Sequence, residues 1–120
     1  MDAQHLYRIV LIDDSRMARL GLREQLNRTA EFRIVGEAAS MAEGLELIER
    51  LNPDLVLLDI SLPDGSGVQA CCRLVAGRPD TRVLILSVYD DPAVIREAIA
   101  AGAQGCVLRD TAVAMWRDAM

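Results

Sequence analysis

The chain has 120 residues, one domain's length, enough to bury roughly two-thirds of the surface that the unfolded chain exposes. Its net charge of −5 argues against gripping nucleic acid through phosphate contacts, and aromatics at 3% argue against stacking on bases as a mode of action. The three cysteines, Cys71, Cys72 and Cys106, form neither a disulfide framework nor a spaced metal set. Cys71 and Cys72 share a helical stripe with Val68 and Val75 and read as small core residues in a reducing compartment.

The basic residues are all arginine, which reads as compositional bias rather than functional demand. Met1-Asp2-Ala3-Gln4-His5 lacks the basic start and long apolar run of a signal peptide. No stretch approaches a membrane span, so the expectation is a cytoplasmic protein with no membrane association.

Taken in order, Tyr7 to Ile12 reads as a buried strand, and Asp13-Asp14-Ser15 ends it. Ser15 is placed to cap a helix from about Arg16 to Arg28, with Ala18, Leu22 and Leu26 inward. Phe32 to Gly36 is a second, shorter and more alternating strand, expected near an edge. Ser40-Met41-Ala42-Glu43 has the form of a capping box, and Met41, Leu45, Ile48 and Leu51 recur on one helical face. Asn52-Pro53 closes that helix, because the residue before proline avoids the helical region.

Leu55-Val56-Leu57-Leu58-Asp59 follows, and the chain is organised around it. Four apolar residues in a row suit a strand buried on both faces of a parallel sheet, and the Pro63-Asp64-Gly65 turn cluster lies just beyond. Asp59 is thus expected at the carboxyl end of a central strand, where open α/β sheets bind their ligands. A third helix is expected from about Ser66 to Ala76, ended by Gly77 and Pro79. Arg82 to Leu86 reads as a fourth strand with Ser87 at its carboxyl end. Asp91-Pro92 opens a fourth helix that Gly102 ends, and Ile95, Ala98 and Ile99 form its inner face. Gly105 to Leu108 is a short fifth strand ending at Arg109, and a last helix from about Thr111 is shortened at Met120. This strand–helix alternation, with strands too apolar to face water, predicts an α/β fold with a doubly wound parallel sheet.

The strand ends then bring together Asp13, Asp14, Asp59, Ser87 and Arg109. Clustered carboxylates repel one another unless a cation sits among them. Magnesium suits such a set, since Mg2+ is hard and binds through a few carboxylates plus a phosphate. Zinc does not, with His5 remote in sequence. A carboxylate beside Mg2+ can act as nucleophile toward a phosphoryl group, with a hydroxyl and a cation to receive its oxygens.

The motifs Ile12-Asp13-Asp14-Ser15, Asp59 with Pro63 and Gly67, Leu86-Ser87, and Gly102-Ala103-Gln104-Gly105-Cys106-Val107-Leu108-Arg109-Asp110 resemble the receiver domain of bacterial two-component response regulators over essentially the whole chain, residues 1–120. The Leu62–Gly67 loop and the Ser87–Asp90 run look most like the NarL/FixJ (LuxR-type) subfamily. That resemblance implies a five-stranded, flavodoxin-like sheet of order 2-1-3-4-5. It also implies Asp59 as phosphoacceptor, Asp13 and Asp14 as the Mg2+-holding pair, the main-chain carbonyl of Ser61 as a further metal ligand, and Ser87 as a hydroxyl that turns toward the phosphoryl group. The implied partner is a sensor histidine kinase. A homodimer on phosphorylation and a DNA-binding helix-turn-helix domain beyond this chain belong to the same expectation. DNA would be reached only through that domain, in transcription regulation, and only self-phosphorylation and autodephosphorylation are expected as chemistry.

Two positions depart from the family pattern. Arg109 stands where a lysine is usual; it keeps the charge but is planar, longer and bidentate. Cys106 stands where an aromatic is usual, and a thiol cannot reproduce the inward movement of a ring. Tyr89 reads either as a shield or switch ring or as a loop aromatic packed on the surface. These departures leave an alternative, a phosphorylation-independent pseudo-receiver acting as a protein-interaction module. An aspartate-nucleophile phosphatase is disfavoured because Ser15, not an acid, stands two residues after Asp13, and a dinucleotide-binding enzyme because no glycine-rich turn follows the first strand.

Overall fold

A computed structural model describes residues 6–59, 61–62, 65–66, 74, 76–77, 80–87, 93, 96, 100 and 105–108. The five apolar runs form one parallel sheet from β1 (Tyr7–Ile12), β2 (Phe32–Ala38), β3 (Leu55–Asp59), β6 (Arg82–Ser87) and β7 (Gly105–Leu108). Its order is β2-β1-β3-β6-β7, which is 2-1-3-4-5 counted over the strands of this sheet. Between β3 and β6 a separate two-stranded antiparallel ribbon pairs β4 (Ser61–Leu62) with β5 (Gly65–Ser66).

The strands are aliphatic because both faces are covered. Successive side chains point to opposite faces, so β1, β2, β3 and β6 each feed two cores. Val10, Ile12, Val56, Leu58, Val83 and Ile85 face one side, against Met41 and Ile48 of α2 (Met41–Leu51) and against Leu74. Ile9, Leu11, Leu55, Leu57, Leu84 and Leu86 face the other, against Leu22 and Leu26 of α1 (Arg16–Asn27). Among the described residues, Tyr7 and Phe32 stack with ring centroids 5.5 Å apart at the amino-terminal ends of β1 and β2.

Both helices begin as their sequences direct. The Ala18 amide donates to Ser15 Oγ at 3.2 Å, and the Glu43 amide donates to Ser40 Oγ at 3.3 Å. α2 ends on Asn52 in the left-handed region, φ 48° and ψ 63°, a conformation asparagine tolerates and one that turns the chain away from the helix before Pro53.

Four details differ from the sequence reading. β2 does lie at the edge, but it extends to Ala38 and carries a bulge. Ile9 faces Ile34 while Val10 faces Gly36, so Val35 is the extra residue. Ser66 belongs to the ribbon rather than to a helix start, because Leu62 and Gly65 pair across residues 63–64. Gly77 is still helical, together with Leu74 and Ala76, and Ser87 is the last residue of β6 rather than a residue beyond it. Ala93, Arg96 and Ala100 are helical, as expected for the fourth helix. Cys71, Cys72, Tyr89, Arg109, His5 and the expected last helix lie outside the described residues.

Candidate functional site

The sheet register sets the site. Ile12 on β1 lies opposite Leu58 on β3, so the next step along each strand brings Asp13 level with Asp59. By alternation both follow Leu11 and Leu57 on the α1 face. Asp13 is fully buried and Asp59 nearly so, at 4% exposure, while Asp14 is exposed. One carboxylate oxygen from each of Asp13, Asp14 and Asp59 lies within 4.8 Å of the other two. The site thus has a buried floor and an open lip.

The Asp13–Asp14 turn is fixed by main-chain and side-chain bonds from three directions. The Asp13 amide donates to Ala38 O at 3.0 Å, extending the β1–β2 pairing by one step. The Ser15 amide donates to Asp13 Oδ1 at 2.9 Å, which holds that carboxylate against the start of α1. Arg19 Nη1 donates to Asp13 O from one turn further along the helix.

The other expected site residues distribute unevenly. Ser61 begins β4, two residues past Asp59. Ser87 ends β6, whose Leu86 pairs with Asp59, so Ser87 stands one step beyond Asp59 on the neighbouring strand. Arg109 lies outside the described residues, one position after the end of β7.

Three carboxylates whose oxygens converge this closely form a hard, all-oxygen donor set. Their mutual repulsion favours a cation, and the set fits Mg2+ better than a metal that prefers nitrogen or sulfur.

Sequence reasoning missed Arg19 and Glu37. Arg19 Nε lies 3.5 Å from Glu37 Oε1, and Arg23 Nε donates to Glu37 Oε2 at 2.8 Å with Arg23 Nη2 on the same oxygen. Glu37 reaches the α1 face only because of the bulge. Ile34 faces the α1 core and Val35 the α2 core, and the extra residue shifts the alternation so that a Cβ on Gly36 would meet Leu47 and Leu51 of α2 while Glu37 meets α1. A bulge leaves no clear mark in hydrophobic periodicity; the glycine beside it is the one available sign.

The family model of the response regulator receiver domain matches residues 9–119. The chain is a response regulator receiver domain. This receiver domain is 39% identical over 105 residues to the DNA-binding transcriptional activator DevR/DosR of Mycobacterium tuberculosis, covering 88% of this chain and 48% of that protein. It is 34% identical over 110 residues to the nitrate/nitrite response regulator protein NarL of Escherichia coli, covering 92% and 51%. The chain therefore spans about half the length of these curated relatives. Among solved structures, the signal receiver domain of the NarL response regulator of Mycobacterium tuberculosis superposes with a TM-score of 0.86 at 33% identity, covering 96% of this chain and 97% of that one. The response regulator domain of Thermotoga maritima CheB superposes with a TM-score of 0.80 at 25% identity, covering 96% and 89%. The likeness is of NarL type, and it makes the chain a regulatory module of phosphorylation-dependent two-component signalling rather than an enzyme in the ordinary sense. Among the described residues no helix is long and apolar enough to cross a membrane.

Proposed function

We propose that Asp59 accepts a phosphoryl group from a sensor histidine kinase and that Asp13, Asp14, Asp59 and the Ser61 carbonyl hold Mg2+ for that transfer. The carrying observation is the convergence of the three carboxylates within 4.8 Å at the carboxyl edge of the sheet. Bound Mg2+ would supply positive charge to the carboxylates and to the incoming phosphoryl oxygens. An Asp59 oxygen attacks phosphorus, an acyl phosphate bond forms, and the bond to the donor nitrogen breaks with its electron pair leaving on the donor, which takes up a proton. The burial of Asp59 and its place in β3 restrict the movement of the nucleophile. Ser87 donates to a phosphoryl oxygen and Arg109 pairs with the others, and hydrolysis of the acyl phosphate resets the domain.

The intact Asp13–Asp14–Asp59–Ser87 set favours this reading over a phosphorylation-independent interaction module. As the relatives of which this chain covers a little under half are transcriptional regulators, the output we assign is transcription control through a DNA-binding domain outside this chain, with dimerisation on phosphorylation. The locus of action is the cytoplasm.

The test is incorporation of acid-labile phosphate from a small phosphodonor with Mg2+. Wild type should label stoichiometrically, while Asp59→Asn should not label and omission of Mg2+ should suppress the reaction. Equal labelling of wild type and Asp59→Asn, or none of either, would remove Asp59 from the role.

A further inference from the structure

We propose that Arg19 is the positioning residue of the acidic site, and that the bulge in β2 exists in this chain to supply the carboxylate that holds it. This rests on the reading of Asp13, Asp14 and Asp59 as the Mg2+ site. Arg19 uses two edges of one guanidinium. Nη1 donates to the main-chain carbonyl of Asp13, and Nε faces Glu37 Oε1 at 3.5 Å. The side chains of Arg19 and Glu37 are only 19% and 18% exposed, so solvent screening is limited. Arg23 takes the other Glu37 oxygen, which leaves Oε1 for Arg19.

The consequence falls on the peptide joining Asp13 to Asp14. Asp13 O is the carbonyl of that peptide, and clamping it fixes the plane from which the Asp14 side chain departs. Asp13 is already held by Ser15 N and by its buried place at the end of β1, whereas Asp14 is exposed and depends on its backbone for direction. Arg19 thus sets the third carboxylate against the other two. A bare arginine beside a divalent-cation site would oppose the cation. Glu37, shared with Arg23, offsets part of that charge, so Arg19 contributes geometry at a reduced electrostatic cost. Glu37 can do so only from the α1 face, where the one-residue bulge at Val35 puts it.

Position and charge predict opposite signs for the same substitution. If Arg19 acted through charge alone, its removal would tighten Mg2+ binding. If it acts through position, its removal weakens binding, and lysine, with one nitrogen in place of a planar fork, fails to rescue. The experiment is calorimetric titration of Mg2+ into wild type, Arg19→Met, Arg19→Lys and Glu37→Gln. It is paired with hydrogen exchange of the Ser15 amide in metal-free protein and with thermal melting to show that each variant is folded. We expect the dissociation constant to rise about tenfold in Arg19→Met and Arg19→Lys, the size usual for groups that orient metal ligands. We expect a rise in Glu37→Gln as well, with faster Ser15 exchange in all three. Folded Arg19→Met or Arg19→Lys that binds Mg2+ as tightly as wild type, or more tightly, would overturn the inference while leaving the site itself standing. Wild type that takes up no Mg2+ would overturn both. Should Arg19→Met fail to fold, Arg19→Lys decides by the same criterion.

Discussion

Gly44 shows how closely the residues behind the site are fitted. A Cβ built on it would stand 2.3 Å from Ile12 Cδ1 and 2.8 Å from Ile12 Cγ1, and Ile12 is fully buried immediately before Asp13. Alanine would gain about 1 kcal/mol of helix propensity. Overpacking a filled core costs about 1–3 kcal/mol, and here the displaced atoms include one close to the Ile12 backbone. Gly44→Ala should therefore lower the urea midpoint, a net loss of up to about 2 kcal/mol, with the slope unchanged; an unchanged or raised midpoint would show that Ile12 has room to turn. Nothing in the Met41–Leu45–Ile48–Leu51 periodicity marks Gly44, because the need for a glycine there depends on Ile12 of β1, more than thirty residues earlier. That Asp13 and Asp59 meet at one sheet edge, by contrast, was legible because each follows an apolar run that must end at the edge of a parallel sheet.

At the scale of elements, the caps of α1 and α2 were readable, while strand irregularity and the bounds expected for the third helix were not. Ser15, Ser40 and Asn52 act through bonds or dihedral angles belonging to their immediate neighbours, so residue type and spacing sufficed. The β2 bulge depends on how two strands meet, and the ribbon of β4 and β5 on pairing across only two residues, which reads in sequence as the start of the next helix. The end of α2 makes a direct prediction. Asn52 has φ 48°, where a side chain with a Cβ pays about 1–2 kcal/mol unless it is asparagine, aspartate or absent. Asn52→Ala should cost about 1 kcal/mol in chemical denaturation, and Asn52→Gly should stay within a few tenths of wild type. Equal losses in both would place the contribution in the asparagine side chain rather than in the backbone angle.

Among the described residues two largely aliphatic cores lie on either side of one sheet, and the acidic cluster of Asp13, Asp14 and Asp59 lies at one edge of it. The scarcity of aromatics forces that design, since interdigitated Leu, Ile and Val must fill both layers. A ligand that bridges the strand ends binds the folded state alone and should stabilise it by mass action. With Mg2+ and beryllofluoride, a phosphoryl mimic, at about a hundredfold above their dissociation constant, the gain is about 2.7 kcal/mol, or on the order of 10 °C in melting temperature for a domain of this size. Asp59→Asn should abolish the beryllofluoride-dependent part of that shift. An equal shift in Asp59→Asn would move the mimic's site away from Asp59.

The stacked pair Tyr7 and Phe32 occupies the amino-terminal ends of β1 and β2, and the path along β1 from Tyr7 to Asp13 is about 20 Å of extended chain. Ring currents from these two side chains give nearby methyl groups displaced resonances that belong to the quiet end of the sheet. In a titration followed by NMR they form a built-in fiducial. If they stay fixed while signals near Asp13 and Asp59 move, the response to a phosphoryl group is confined to one edge; if they move in step, the sheet transmits it along its full length.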